Sequence, residues 1–250
     1  MKKVLIFGSS HIGAIKNGLE LFLKTNTSRF DYSFLGLPRQ KFRTAFKIKH
    51  DLIYSTEMDV SQRIQQLFGF DRSVHLTSFG AIIYFDGPCL LDLSLYSSAG
   101  SVAPLSREVT KTIIYHCNLG YYFRCLQTAY PANQLYYLGA PLKSQDAVNN
   151  PRLYKQPPTD IMMSSKHMFS ALQATVRDVC DRSLKDKTQP NYLVPPPVLL
   201  DQTGFFTRRE FMSEGARFDG RSRDLNDPNV LHGNAEYGKV IIEHLEKLLG

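Results

Sequence analysis

The feature that most constrains this chain is a pair of short runs with no polar residue inside them, Val4-Leu5-Ile6-Phe7 and Ala81 to Phe85. A strand that meets water on one side alternates apolar and polar residues, whereas a strand covered on both faces does not. Strands of the second kind belong to parallel sheets with helices on either side. The first run, Lys3 to Phe7, gives way to a turn of small residues, Gly8-Ser9-Ser10-His11. From Ile12 onward, Ile15, Leu19 and Phe22 recur at helical spacing. Strand, turn and helix in that order open a doubly wound α/β fold.

The alternation continues along the chain. Asp31 to Leu37 reads as a second strand, and Val60, Ile64, Leu67 and Phe68 mark one face of a helix. Ala81 to Phe85 is the third strand, ending in Asp86-Gly87-Pro88. After small residues from Ser97 to Ser101, Ser106 would cap a long helix carrying Val109, Ile113 and Cys117. Leu135 to Leu138 is the fourth strand. Met163, Phe169, Leu172, Val176 and Val179 line a further helix. Tyr192 to Leu200 is the fifth strand, interrupted by Pro195-Pro196-Pro197, and a helix from about Ala235 presents Val240, Ile241, Leu245 and Leu248 to the core. The expectation is one domain over residues 1–250: a three-layer, mostly parallel five-stranded sheet with helices on both faces. It carries an irregular excursion around 143–158, read as a lid or a passive loop, and a polar loop region around 203–231. Ligands of such sheets bind outside the carboxyl ends of the strands.

Other function classes find little support. The net charge of +7 would favour anionic partners, but the Lys and Arg residues are scattered, and no RNP-like motif, zinc finger or basic helix argues for nucleic acid. No segment approaches the ~20 apolar residues of a membrane span. The apolar run after Met1-Lys2-Lys3 stops at Gly8, short of the ~7–15 residues of a signal-peptide core. The four cysteines, Cys89, Cys117, Cys125 and Cys180, form no CxxC pair and read as reduced thiols. A cytoplasmic protein is expected. Asp86 and Asp92 have no His or Glu at ligand spacing, so neither metal nor cofactor is expected. Tyr115, Tyr121 and Tyr122 read as a sugar-stacking platform or, more simply, as faces of one helix.

Chemistry is indicated at the two ends of the chain. Ser9 or Ser10 lies where the first strand turns into the first helix, whose N-terminal N–H groups and partial positive charge stabilise a developing oxyanion. Small polar residues also cap helices there without any catalytic duty. A nucleophilic serine needs a positioned base. The segment from Asp227 to Gly238 supplies a candidate, His232, among turn-forming residues just before the last helix; a nearby carboxylate would fix its tautomer.

Taken together, Val4-Leu5-Ile6-Phe7-Gly8-Ser9-Ser10-His11 and His232-Gly233-Asn234-Ala235-Glu236-Tyr237-Gly238 resemble the first and last blocks of the SGNH/GDSL hydrolases. Leu193 to Phe206, Pro-rich and then Asp-x-x-Gly-Phe-Phe, resembles the penultimate strand of members associated with bacterial surface polysaccharide. The resemblance implies a flavodoxin-like order of strands, Ser10 as nucleophile and His232 as base. It also implies oxyanion donors at Ser10, at Gly36 and at Cys89, which stands near the place of the third block's usual Asn. The triad acid of the family lies three residues before the His, where this chain has Asn229; Asp227 or the more distant Asp224 would serve instead, or Asn229 would orient the ring alone.

The implied activity is hydrolysis of an O-acyl ester, acetyl on carbohydrate foremost, through an acyl-enzyme. Transfer of the same acyl group to a sugar hydroxyl is the first alternative. A catalytically degenerate domain that binds glycan or protein is the second, favoured by the departures at Asn229 and Cys89. A phosphate cradle at Gly8-Ser9-Ser10-His11 ranks last, since a dinucleotide fingerprint needs three glycines.

Overall fold

In the computed structural model, residues 1–69, 72–87, 89–91, 120–142, 144, 166–212 and 232–250 are described. Five strands, β1 (Lys2–Gly8), β2 (Phe30–Gly36), β6 (Ala81–Phe85), β7 (Leu135–Leu138) and β8 (Asn191–Leu193), form one sheet in the order β2-β1-β6-β7-β8. Every neighbouring pair is parallel. This is the doubly wound α/β architecture expected from the apolar runs, and its order is that of the flavodoxin-like sheets. The chain steps from β1 outward to β2 and then returns to the other side of β1, so the order reverses between β1 and β6. In sheets of this kind ligands bind at that point, outside the carboxyl ends of the two strands.

Residues of period two send opposite faces of the sheet into two cores. Val4 and Ile6 of β1 and Ala81, Ile83 and Phe85 of β6 pack with α1 (Ile12–Leu23) and α6 (Ala235–Leu249). Leu5, Phe7, Ile82 and Tyr84 point the other way, toward α2 (Arg39–Ala45), α3 (Met58–Phe68), α4 (Tyr121–Ala129) and α5 (Lys166–Ser183). The second core is rich in rings: Phe7 contacts Phe42, Phe46, Tyr84 and Tyr122 at centroid distances of 5.1 to 6.1 Å. Each fully buried Ile, Leu or Phe contributes roughly 1.5–3 kcal/mol, so two filled faces hold the carboxyl edge of the sheet in place.

Across the first core, α1 and α6 meet with almost no space between them. A Cβ added to Gly18 would lie 2.1 Å from the backbone of Gly238, and one added to Gly238 would lie 1.8 Å from the carbonyl oxygen of Ala14. Farther along, Glu246 of α6 accepts from the Ser28 hydroxyl at 2.6 Å and from the backbone N–H of Arg29 at 3.2 Å, tying α6 to the start of β2.

Several expectations are corrected. Tyr192 to Leu200 is not one strand: pairing ends at Leu193 and Pro197–Leu199 form a 3-10 turn, because three consecutive prolines remove the N–H groups a ladder needs. Leu67 does not share the buried face of α3 with Val60 and Ile64 but is 51% exposed. A small antiparallel sheet, β3 (Lys47–Lys49), β4 (Leu52–Tyr54) and β5 (Ser73–His75), was not anticipated. Its first turn places His50 at φ 53°, and Ile53 and Val74 are its buried residues. Tyr121 and Tyr122 open α4 on different faces, the first 60% exposed and the second buried. The helix expected after Ser106, with Tyr115, lies outside the described residues, as do Met163, Asp92 and nearly all of the 143–158 excursion. Among the described residues no helix is long and apolar enough to cross a membrane.

Candidate active site

The turn after β1 enters α1 through a run of i to i−3 hydrogen bonds. Ile12 N–H donates to Ser9 at 3.1 Å, Gly13 to Ser10 at 3.2 Å and Ala14 to His11 at 3.2 Å. The turn is wound as the first turn of a helix, so the N–H groups of α1 begin beside Ser10. Ser9 is fully buried, and its hydroxyl has no hydrogen-bond partner among the described residues; Ser10 is partly exposed. Burial alone therefore separates the two serines: only Ser10 can meet a substrate.

His232 arrives from the other end of the chain, two residues before the cap of α6. The Asn234 side chain accepts from Tyr237 N–H at 3.0 Å, while its amide donates to the Glu210 carbonyl at 2.7 Å and its backbone N–H to the Phe211 carbonyl at 2.9 Å. One asparagine thus caps the helix and ties the histidine loop to the 3-10 turn at Arg209–Phe211. Gly233 packs under Tyr237, where a Cβ would meet the ring at 2.6 Å. The outcome is a Ser10 Oγ to His232 Nε2 distance of 2.9 Å across 222 residues of sequence. That is the reach required for a base to take the serine proton.

A second imidazole completes the arrangement. His11 lies stacked on His232, ring centroids 4.4 Å apart and planes inclined by 24°. Its other neighbour is Phe85, the last residue of β6, against which it stands edge-on at 6.5 Å and 89°.

The remaining expected residues divide in three. Gly36 ends β2 directly opposite Gly8, and a Cβ there would strike Ile12 at 2.4 Å and the Gly8 carbonyl at 2.5 Å, so the position admits only glycine. Cys89 is buried in the ring-rich core with Leu90 and Leu91. Asp227, Asn229 and Asp224 lie outside the described residues. Asp86, the remaining half of the aspartate pair, accepts from the Tyr84 hydroxyl at 3.4 Å. Reading the sequence missed the duties of His11, Asn234 and the Gly18–Gly238 crossing. Asn234 carried a usable signal, an Asn just ahead of a helix with Glu236 in its first turn. The other two depend on contacts that no spacing reveals.

No protein-family model matches the chain, and no curated protein is similar to it. A solved structure similar to it is that of the lipase Lip_vut3 from a goat rumen metagenome, 8% identical over 99% of this chain and 97% of that one, with a TM-score of 0.39.

Proposed function

We propose that this protein is a serine esterase of the SGNH/GDSL kind that removes an O-acyl group through an acyl-enzyme. The single observation that carries the reading is the 2.9 Å contact between Ser10 Oγ and His232 Nε2, at the carboxyl end of β1 where the sheet order reverses. In the first half of the reaction Oγ attacks the ester carbonyl while Nε2 takes its proton. The negative charge that develops on the carbonyl oxygen meets the N–H of Ser10 and that of Gly36, with the residue-89 position as third donor. Collapse of the tetrahedral intermediate passes the proton from Nε2 to the leaving alkoxide and leaves the acyl group on Ser10. In the second half water attacks the acyl-enzyme while Nε2 takes its proton, and collapse returns that proton to Ser10 Oγ as the carboxylic acid departs.

Asp227 is proposed as the carboxylate on the far side of the imidazole, with Asn229 beside it; an Asn in that role alone would not stabilise the imidazolium. Acetylated carbohydrate is the proposed substrate class, supported by the sequence resemblance and a chain with seven more cations than anions. A sugar hydroxyl replacing water would make the same site an acyltransferase. The reading treats residues 1–250 as one catalytic domain, supported by the meeting of Ser10 with His232. It sets the reaction in the cytoplasm, supported by four cysteines that form no CxxC pair in a chain long enough to build a core without disulfides.

The test is covalent labelling by a small fluorophosphonate, with the adduct located by mass spectrometry. Labelling on Ser10 that is lost in Ser10→Ala and His232→Ala, both folded by circular dichroism, is the expected result. Asp227→Asn should slow labelling of Ser10 while Asn229→Asp should not. A folded wild type that takes no label would overturn the esterase reading and bring forward the binding-domain alternative.

A further inference from the structure

We infer that His11 is a positioning residue for His232, setting the tilt of the base's ring so that Nε2 faces Ser10 and keeping it there when the ring becomes charged. The inference rests on the acyl-enzyme reading above.

The hydrogen bond that Nε2 accepts from Ser10 holds that atom of the imidazole, while the inclination of the ring plane is set by what packs against its face. The stacked ring of His11, 4.4 Å away and within 24° of parallel, supplies a flat surface along the whole imidazole face. His11 is itself braced: it is buried, and Phe85 meets its edge from the end of β6. The brace reaches the sheet at β6, the strand paired with β1 across the switch point from the nucleophile. Ser10 and His11 are consecutive in one turn, so a shift of that turn moves the nucleophile and the surface under its base together. The distance between Oγ and Nε2 is thereby protected against motion of the turn.

The stack also acts during the reaction. When Nε2 takes the serine proton, His232 becomes a cation lying over an aromatic face, and a cation in that position is attracted by the ring's quadrupole. The attraction is greater in the transition state than in the ground state, so it lowers the barrier and does not merely hold substrate. It requires a π face at position 11, not simply bulk.

That requirement defines the experiment. His11→Phe keeps a ring; His11→Leu fills similar volume without one. Rate constants for fluorophosphonate labelling of Ser10, and kcat and KM on a p-nitrophenyl ester, are measured for both variants and the wild type at matched Tm. The expected outcome is a loss of about tenfold in labelling and kcat for His11→Leu, with KM unchanged, and recovery to within about threefold for His11→Phe. Equal rates in His11→Leu and wild type, or a His11→Phe as slow as His11→Leu, would overturn the inference while leaving the Ser10–His232 reading intact. A wild type that takes no label on Ser10 removes both at once, and so separates the two failures.

Discussion

Replacing Gly238 by alanine is expected to damage the candidate site from a distance, and the size of the damage follows from the helix crossing. The added Cβ lies 1.8 Å from the Ala14 carbonyl oxygen, 2.5 Å from its carbonyl carbon and 3.0 Å from Ile15 Cα. All three atoms are α1 backbone, so no side-chain rotation relieves the overlap. Ordinary contact begins at 3.4 Å, and the two helices must therefore part by about 1.5 Å at the crossing. Ser10 leads into α1 and His232 into α6, so the parting adds to their 2.9 Å separation and carries it past hydrogen-bond range. Overpacking of this kind costs about 1–3 kcal/mol, which for a chain of this size lowers Tm by roughly 3–10 °C. Displacement of about 1 Å between reacting groups costs on the order of 10²-fold in rate. Differential scanning calorimetry and the rate of fluorophosphonate labelling measure the two effects. Leu245→Ala, which opens a cavity in the same helix and costs about 2–5 kcal/mol, provides the comparison: it should melt at least as early yet label faster than Gly238→Ala below the melting range. Wild-type labelling and an unchanged Tm in Gly238→Ala would refute the reasoning, because the helices would then not be locked at contact.

Three further outcomes are expected. Ser9→Ala removes a buried hydroxyl that has no partner among the described residues, and should raise stability by about 1 kcal/mol in urea unfolding; a loss of that size would mean the hydroxyl is engaged after all. Asn234→Ala removes the cap of α6 and the tie to Glu210, costing about 1 kcal/mol and slowing Ser10 labelling, whereas slowed labelling should be absent if the histidine loop is held elsewhere. Burial, aided by the Lys247 charge, holds the His244 imidazole below its usual value. The unfolded chain then binds the extra proton, so the His244 contribution is full above about pH 6.5 and is lost as pH falls through the lower folded-state value. Tm measured from pH 7.5 to 5 should therefore fall less steeply in His244→Gln, and an unchanged slope would contradict the assignment.

What could be read beforehand was whatever depends on one element at a time. The double-faced runs of β1 and β6 announced buried parallel strands, and four strand positions follow directly from them and their turn residues. Ser10 and His232 were legible because each stands at a junction between an apolar element and a helix, where side chains are presented and not packed. The strands β3, β4 and β5 were not legible: three residues each are too few for a period to register, and a turn at His50-Asp51 lacks the usual glycine. The end of β8 was read too far along because the apolar residues around the prolines continue the pattern after the hydrogen bonds have stopped. The stack of His11 on His232 and the glycine crossing were hidden for a different reason, since each joins residues more than two hundred positions apart.

On the esterase reading, the same long separation bears on when the chain would acquire its chemistry. A serine alone is an ordinary alcohol, and Ser10 has only α1 and its turn for company until α6 docks. Closing a loop of that length costs entropy before the contacts it brings together repay it. A nascent or half-refolded chain would therefore present a complete β1 and α1 with an unarmed hydroxyl. Reactivity would arrive with the final docking step, as a readout that the whole sheet has been assembled, and recovery of labelling during refolding should trail the recovery of helical signal.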